Sequence, residues 1–150
     1  MLPSRILVAT DGSPAANAAV TFAAEMAKTM KATELVVVSV TRTHMVGSKG
    51  VPVAVLNVDP KELAAREELV KEAADSMRMI VGDDAVRIET KVLQSLSPAD
   101  AIISEAHVTG TCSHIVIGDR GHGGFEGLRL GGVSHHVIQG ADCPVTVIRV

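Results

Sequence analysis

Strand-like apolar runs alternate along this chain with helix starts, and this alternation restricts the fold more than any other feature of the sequence. Ser13-Pro14, Asp59-Pro60 and Ser97-Pro98 each place an N-capping side chain before a proline, whose missing N–H costs nothing in the first turn of a helix. Residues 34–40 (ELVVVSV) are almost wholly apolar, as expected of a strand that is covered on both faces. The alternation therefore predicts an α/β fold with a parallel, doubly wound sheet.

The periodicity assigns the individual elements. Strands are predicted at residues 5–10, 34–40, 85–93, 114–117 and 143–150, and helices are predicted to begin at Pro14, Pro60, Pro98 and Val133. Residues 41–59 are predicted to be irregular, although residues 51–58 could form a short strand. The first eight residues of the run 85–93 alternate apolar and polar side chains, which indicates a strand near an edge of the sheet.

Length and composition restrict the function classes. A chain of 150 residues predicts a single domain over residues 1–150. The net charge is −3 and the chain has no Trp, no Tyr and two Phe, so few side chains can stack on bases and no nucleic-acid partner is expected. Cys112 and Cys143 show no C-x-x-C spacing, and the sequence shows neither a signal peptide nor a long apolar run. We therefore expect a reduced, cytoplasmic protein without a membrane span.

The stretch 115–137 (IVIGDRGHGGFEGLRLGGVSHHV) carries the strongest indication of a binding site. Seven glycines fall within the seventeen positions from Gly118 to Ser134, between a predicted strand and a predicted helix. Glycines allow the backbone to approach a ligand closely, and a helix N-terminus directs N–H groups and a positive dipole toward an anion. A linker or an ordinary turn is the alternative, but too few residues follow Val133 to fold alone. The stretch predicts an anion site, with phosphate as the expected anion.

A second feature falls at the same edge of the predicted sheet. In doubly wound sheets, ligands bind outside the carboxyl ends of the strands. The turn at residues 9–12 (ATDG) follows the first strand and the glycine stretch follows the fourth, so we expect them to face each other. Asp11 is either a ligand-binding carboxylate or a turn residue that accepts a hydrogen bond from its own backbone.

Two common nucleotide motifs do not match this chain. Residues 46–50 (VGSKG) have the wrong order for a Walker A loop, G-x-x-x-x-G-K-[ST]. The dinucleotide motif G-x-G-x-x-G fails because Glu126 stands at its last glycine, and because the match follows the fourth strand instead of the first.

The glycines instead fit G-x-x-G from Gly118 to Gly121, nine further residues, and Gly131. This spacing resembles the nucleotide loop of the universal stress protein family, G-x-x-G-x9-G-[ST]. Residues 10–13 (TDGS), 123–128 (GGFEGL), 133–135 (VSH) and 141–145 (ADCPV) are also similar to that family. The resemblance covers nearly the whole chain and is weak only at residues 41–59. One position departs from it, because Gly132 stands where the family has Ser or Thr.

The resemblance implies a Rossmann-like fold of the adenine nucleotide alpha hydrolase type, with five strands in the order 3-2-1-4-5. It also implies a site for ATP or another adenine nucleotide, with Mg²⁺ entering alongside it, and a homodimer formed by antiparallel pairing of the last strand, residues 143–150. The residues carried over are Ala9, Thr10 and Asp11 along the adenine and ribose, Val40 and Ile117 against the base, and Gly118, Gly121, Gly131, Gly132, Val133 and Ser134 around the ribose and phosphates.

Other polar residues in these segments support no reaction or metal site. His135 and His136 are adjacent, so on a helix they cannot form the i, i+3 or i, i+4 pair that a metal needs. Arg120 and His122 are either phosphate contacts or solvated loop residues. The sequence shows no nucleophile together with a base. We expect an ATP-binding regulator; the alternatives are a dimeric interaction protein that binds no nucleotide, which Gly132 favours, and a slow ATP-using enzyme.

Overall fold

The computed structural model describes residues 4–48, 51–55, 59–82, 85–108, 114–121 and 131–150. Cys112, His122 and the middle of the glycine stretch lie outside the described residues. The elements are β1 (Arg5–Ala9), α1 (Pro14–Met30), β2 (Glu34–Arg42), β3 (His44–Ser48), β4 (Val51–Val55), α2 (Pro60–Val81), β5 (Arg87–Ser95), α3 (Pro98–His107), β6 (His114–Gly118), α4 (Gly132–Gly140) and β7 (Val145–Ile148).

The main sheet has the order β5-β2-β1-β6-β7, and every neighbouring pair in it is parallel. Counted along the chain within this sheet, the order is 3-2-1-4-5, so the predicted topology is confirmed. β1 is the central strand, and its Leu7 pairs with Val36 of β2 and Ile115 of β6. β5 lies at one edge, as its alternating pattern predicted, and β7 lies at the other.

Two apolar layers cover the faces of this sheet. Ile6 and Val8 pack beneath the alanine-rich stripe of α1 and beneath α2. Leu7 packs on the other face, in the cluster that holds Ile102 of α3 and Val137 of α4. Burying a side chain such as Leu7 completely stabilises the fold by about 1.5–3 kcal/mol. Because both faces are covered, the carboxyl edge of the sheet is left as the place for a site.

The three predicted caps form as expected. Ser13 accepts a hydrogen bond from Ala16 N, Asp59 from Lys61 N, and Ser97 from Asp100 N. Such caps stabilise a helix by about 1 kcal/mol each. The fourth helix differs, because its N-cap is Gly131, which makes no side-chain cap bond. α4 also begins at Gly132, one residue before the predicted start.

The prediction of irregular structure is wrong for residues 44–48 and 51–55, and the alternative of a short strand in residues 51–58 is confirmed over 51–55. β3 and β4 form a two-stranded antiparallel hairpin in which His44 pairs with Val55. Two residues separate the strands in the sequence, the commonest hairpin spacing, and the valines of β4 favour extended backbone. Pro52 and the nearby glycines weakened the strand pattern, because these residues are depleted in strands generally.

Candidate functional site

A cleft of about 570 Å³ opens at the carboxyl ends of β1, β2 and β6, within the usual range for small-molecule sites. All eleven residues carried over from the resemblance line it: Ala9, Thr10, Asp11, Val40, Ile117, Gly118, Gly121, Gly131, Gly132, Val133 and Ser134. The sequence did not indicate the other lining residues as site residues, apart from Arg120: they are Ser13, Ala16, Val38, Glu62, Arg66, Leu96, Ser97, Pro98, Ala99, Ile102 and His136.

Hydrogen bonds fix the turn after β1. Thr10 N donates to Val38 O at 2.9 Å, which extends the pairing with β2 one residue beyond the strand. Gly12 has φ +80°, a conformation that a side chain would disfavour, and its N–H donates to Thr10 Oγ1 at 3.2 Å. Asp11 Oδ1 accepts from Ser13 N at 2.9 Å. Asp11 therefore accepts the backbone hydrogen bond expected of a turn residue. It also lines the cleft.

The glycine loop faces this turn, as predicted. A Cβ on Gly121 would press against Oδ2 of Asp11, so the backbone of Gly121 lies close to the carboxylate of Asp11 at the ends of β1 and β6. Only glycine allows this approach without moving the carboxylate. One oxygen of Asp11 thus holds the turn and the other lies against the loop.

The other described glycines of the loop differ in what they require. A Cβ on Gly118 would lie 2.8 Å from the backbone carbon of Ala15, so glycine is needed there for close packing of β6 against α1. A Cβ on Gly131 would lie 3.3 Å from Asp119 O, a tight contact. A Cβ on Gly132 would meet nothing within 4 Å. The position that departs from the family pattern therefore has room for a serine.

The N-terminus of α4 presents backbone donors to the cleft. Gly132, Val133 and Ser134 occupy its first three positions, where helix geometry leaves N–H groups without an intrahelical carbonyl. Ser134 is 3% exposed, and its hydroxyl donates to Gly118 O at 2.6 Å. Its proton is therefore already committed, and a phosphate at this end would be met by backbone N–H groups.

Much of the remaining cleft lining is apolar. Val38, Val40 and Ile117 rise from the sheet, and Ala99 and Ile102 face them from α3. Leu96, in the connection between β5 and α3, also lines the cleft and is 49% exposed. The sequence had indicated Ala99 and Ile102 only as the core stripe of α3, and periodicity alone cannot separate a core stripe from a pocket wall.

Charged side chains reach the cleft from three elements. Arg66 of α2 donates from Nη1 to Ser39 Oγ at 3.2 Å. His136 Nε2 lies 3.2 Å from Asp100 Oδ1, an ion pair only when the imidazole is protonated. Arg120 Nε lies 3.8 Å from Asp119 Oδ2, and its side chain is nearly half exposed. His136 is thus exposed and lines the cleft.

Within the part of the chain that the structure describes, no group of three or more His, Cys, Asp or Glu side chains could hold a metal ion. Of the described helices, none is both long and apolar enough to cross a membrane. Ser13 caps α1 and donates to Arg120 O at 3.4 Å. Capping therefore accounts for this hydroxyl, as expected.

The chain matches the model of the universal stress protein family over residues 3–149. Two curated relatives are universal stress protein YxiE of Bacillus subtilis, 32% identical over 149 residues with 97% of this chain and 99% of the relative covered, and universal stress protein MJ0531 of Methanocaldococcus jannaschii, 30% identical over 148 residues with 99% and 83% covered.

Solved structures agree with the fold. UspA from Lactobacillus plantarum superposes with a TM-score of 0.78 at 25% identity, covering 99% of both chains. A universal stress protein in complex with cAMP gives a TM-score of 0.72 at 21% identity, covering 99% of this chain and 98% of that one. The Archaeoglobus fulgidus protein in complex with dAMP gives 0.69 at 24% identity, covering 99% of both chains.

Proposed function

This chain belongs to the universal stress protein family, and from that membership we propose that it binds an adenine nucleotide, with ATP as the first candidate, in the cleft at the carboxyl edge of its sheet. We further propose that occupancy of the cleft by the nucleotide changes the conformation or assembly of the protein, and that the protein acts as a cytoplasmic regulator in a stress response.

The chemistry of the cleft lining is the observation that carries this proposal. Aliphatic side chains such as Val40 and Ile117 suit the flat apolar faces of a base. Asp11 also lines the cleft, and a carboxylate can accept hydrogen bonds from ribose hydroxyls. The N-terminus of α4 offers N–H groups, which suit phosphate. A nucleotide combines an apolar base, a hydroxylated sugar and phosphate, which match these three kinds of group.

Mg²⁺ would accompany the nucleotide instead of occupying a protein cage. This ion keeps several waters and takes one or two carboxylates together with phosphate oxygens. Asp11 fits that pattern, because Oδ1 is used by the turn while the carboxylate still lines the cleft. Its contact with the ion would run through a water.

Two of the similar structures are complexes with cAMP and dAMP. Both proteins are under 25% identical to this chain, so they illustrate what the fold can hold and do not identify the ligand here. Gly132 stands where the family pattern has Ser or Thr, so this chain lacks the side-chain hydroxyl of that residue and keeps its backbone N–H. The backbone donors of Gly132, Val133 and Ser134 remain, and a helix N-terminus favours a nearby anion by about 0.3–1 kcal/mol.

Two measurements test the proposal. Mass spectrometry of small molecules released from the freshly purified, denatured protein should detect an adenine nucleotide. Calorimetric titration with Mg-ATP should give a dissociation constant in the micromolar range, which corresponds to a binding free energy of about −8 kcal/mol. A folded protein that releases no nucleotide and gives no heat would contradict the proposal and favour a dimeric interaction protein.

We also propose a homodimer that pairs β7 with its copy. The two sheet edges differ in charge: β5 carries Arg87, Glu89 and Lys91, which form ion pairs on its surface, whereas β7 (VTVI) has no charged residue. Charged side chains on an edge strand oppose its pairing with a strand of another chain, and an uncharged apolar edge strand favours such pairing. All four residues of β7 are partly exposed in the single chain.

An ATP-using enzyme is the remaining alternative. The hydroxyls of Ser13 and Ser134 are committed to the carbonyls of Arg120 and Gly118, so neither is poised beside a base. Product analysis after long incubation with Mg-ATP tests this alternative. Multiple turnovers that are lost in Asp11→Ala would support it.

A further inference from the structure

A chain of hydrogen bonds joins α2 to the turn that follows β1. Arg66 Nη1 donates to Ser39 Oγ at 3.2 Å, and Ser39 Oγ donates to Thr10 O at 2.7 Å. Ser39 lies in the second half of β2 and is 1% exposed, so its hydroxyl is shielded from water. One accepted and one donated bond use the hydroxyl in both of its roles.

These hydrogen bonds fix the peptide group that precedes Asp11. The N–H of Thr10 is held by Val38 O at 2.9 Å, and the carbonyl of Thr10 is held by Ser39. Both sides of the residue before the turn are therefore anchored to β2. A serine hydroxyl can rotate, but a bond accepted from a cation polarises it and directs its proton away from that cation. Here that direction is toward the Thr10 carbonyl.

Arg66 is suited to this role by its position. Its side chain is 25% exposed, and it lines the cleft together with Glu62, whose Oε1 lies 3.9 Å from Nη2. An exposed i, i+4 pair of this kind contributes little by itself. None of the site residues carried over from the family resemblance lies in α2, so those residues do not account for Arg66.

We propose that Arg66 is a positioning residue for the nucleotide: acting through Ser39, it holds the Thr10–Asp11 turn in the conformation that receives the ligand. The proposal rests on the proposed function, since it deepens the account of the same cleft. It also has a reciprocal consequence. If Arg66 raises the affinity for ATP, then bound ATP must stabilise the contact of α2 with Ser39 by the same factor.

The test is a double-mutant cycle with calorimetric titration of Mg-ATP. Arg66→Met keeps the length of the side chain and removes its charge, and Ser39→Ala removes the intermediate hydroxyl. Each is expected to weaken ATP binding about two- to tenfold, the effect of one hydrogen bond, and the double variant is expected to be no weaker than either single variant. The matched control is Arg78→Met on the same helix, whose Nη1 donates to Val86 O at 3.0 Å and not to the cleft; its ATP affinity should equal that of the parent.

Three results would overturn the inference. Losses that multiply in the double variant would mean that Arg66 contacts the ligand directly. Parental affinity in Arg66→Met would mean that the hydrogen-bond chain does not affect binding. An equal loss in Arg78→Met would mean that any damage to α2 has the same effect.

Hydrogen exchange of the ligand-free proteins separates this inference from the proposed function. The amides of Gly12 and Ser13 should exchange faster in Arg66→Met and in Ser39→Ala than in the parent or in Arg78→Met. If the parent binds no ATP but the variants show this faster exchange, the positioning of the turn by Arg66 is supported and only the proposal of nucleotide binding is refuted. Unchanged exchange at both amides would overturn the positioning role, whether or not ATP binds.

Discussion

The hydroxyl of Ser134 donates a 2.6 Å hydrogen bond to the carbonyl oxygen of Gly118. These two residues stand at opposite ends of the glycine stretch, one in the first turn of α4 and the other at the end of β6. The bond therefore ties the helix directly to the strand that precedes it. Among the described residues between them, Gly121, Gly131 and Gly132 line the cleft.

The first prediction follows from this bond. Ser134→Ala should lower the free energy of unfolding by about 1–3 kcal/mol, because it leaves a buried carbonyl without this donor. For a chain of this size that corresponds to a melting temperature lower by roughly 2–4 °C per kcal/mol. Thermal unfolding checks it, with His135→Ala, the exposed neighbour, as the control. Equal melting temperatures for Ser134→Ala and His135→Ala would contradict the structural role.

Gly132→Ser should tighten ATP binding. The new side chain has open space around it, and a hydroxyl at the first position of α4 could donate to a phosphate. A hydrogen bond to a charged group is worth about 1.5–3 kcal/mol, or roughly ten- to a hundredfold in affinity. Titration should find Gly132→Ala close to the parent, since it adds the Cβ without the donor. Equal affinities for the serine and alanine variants would mean that no phosphate lies there.

Gly121→Val should abolish ATP binding, with a loss above about a hundredfold. Its Cβ would press on Asp11 Oδ2, so the side chain must displace the carboxylate or push the loop away from the turn. The folded state of the variant is checked by circular dichroism and its affinity by calorimetry. A folded Gly121→Val that binds ATP like the parent would show that the approach of the loop to Asp11 does not matter for the ligand.

The sequence predicted the sheet because its patterns were local. The capping pairs at Ser13, Asp59 and Ser97 and the apolar strand at residues 34–40 act through neighbours in the chain. Their helical starts and parallel topology formed as expected. The hairpin of β3 and β4 was missed because Pro52 and glycines interrupt its pattern, while pairing between two short strands depends on partners that periodicity cannot detect.

The site was predicted only along the stretches that resemble the family. Asp11 and Gly121 were expected to meet, and they do. Arg66 and Leu96 were not expected in the cleft, since each reaches it from an element that the family motif does not include. The commitment of the Ser134 hydroxyl to Gly118 could not be predicted either, because a hydroxyl proton follows the nearest acceptor in space and not in sequence.

Acid should destabilise the protein through His114. Burial lowers the pKa of this histidine from 6.5, and its Nε2 lies 2.6 Å from Thr146 Oγ1, across the β6–β7 pair. Below pH 6.5 the imidazole of His114 takes up a proton in the unfolded chain and stays neutral in the folded chain. The contribution of His114 to the free energy of unfolding is therefore present above pH 6.5 and is lost as the pH falls from 6.5 through the lowered pKa of the folded state. The melting temperature should fall between about pH 7.5 and about pH 5.5, and by less in His114→Gln. An identical fall in both proteins would exclude His114 as the cause.

The last prediction separates the proposed dimer edge from the fold of the sheet. Ile115 N donates to Pro144 O and Asp119 N donates to Ile148 O, so even-numbered residues of this segment direct their backbone groups to β6. The N–H groups of the odd residues, Val145 and Val147, then point to the outer edge of the described sheet. Val147→Pro removes one of these outward donors and leaves the bonds to β6 intact, since proline is tolerated where an edge strand faces outward.

In light scattering at micromolar concentration, the parent should have about twice the 15.6 kDa mass of one chain. Val147→Pro should have the mass of one chain and keep the parental circular dichroism. Val147→Ala, which shortens the side chain but keeps the N–H, should remain a dimer, because pairing of edge strands depends on the backbone donors. A folded Val147→Pro that still dimerises would mean that the copies meet through another surface, and a monomeric parent would mean that β7 has no partner in solution.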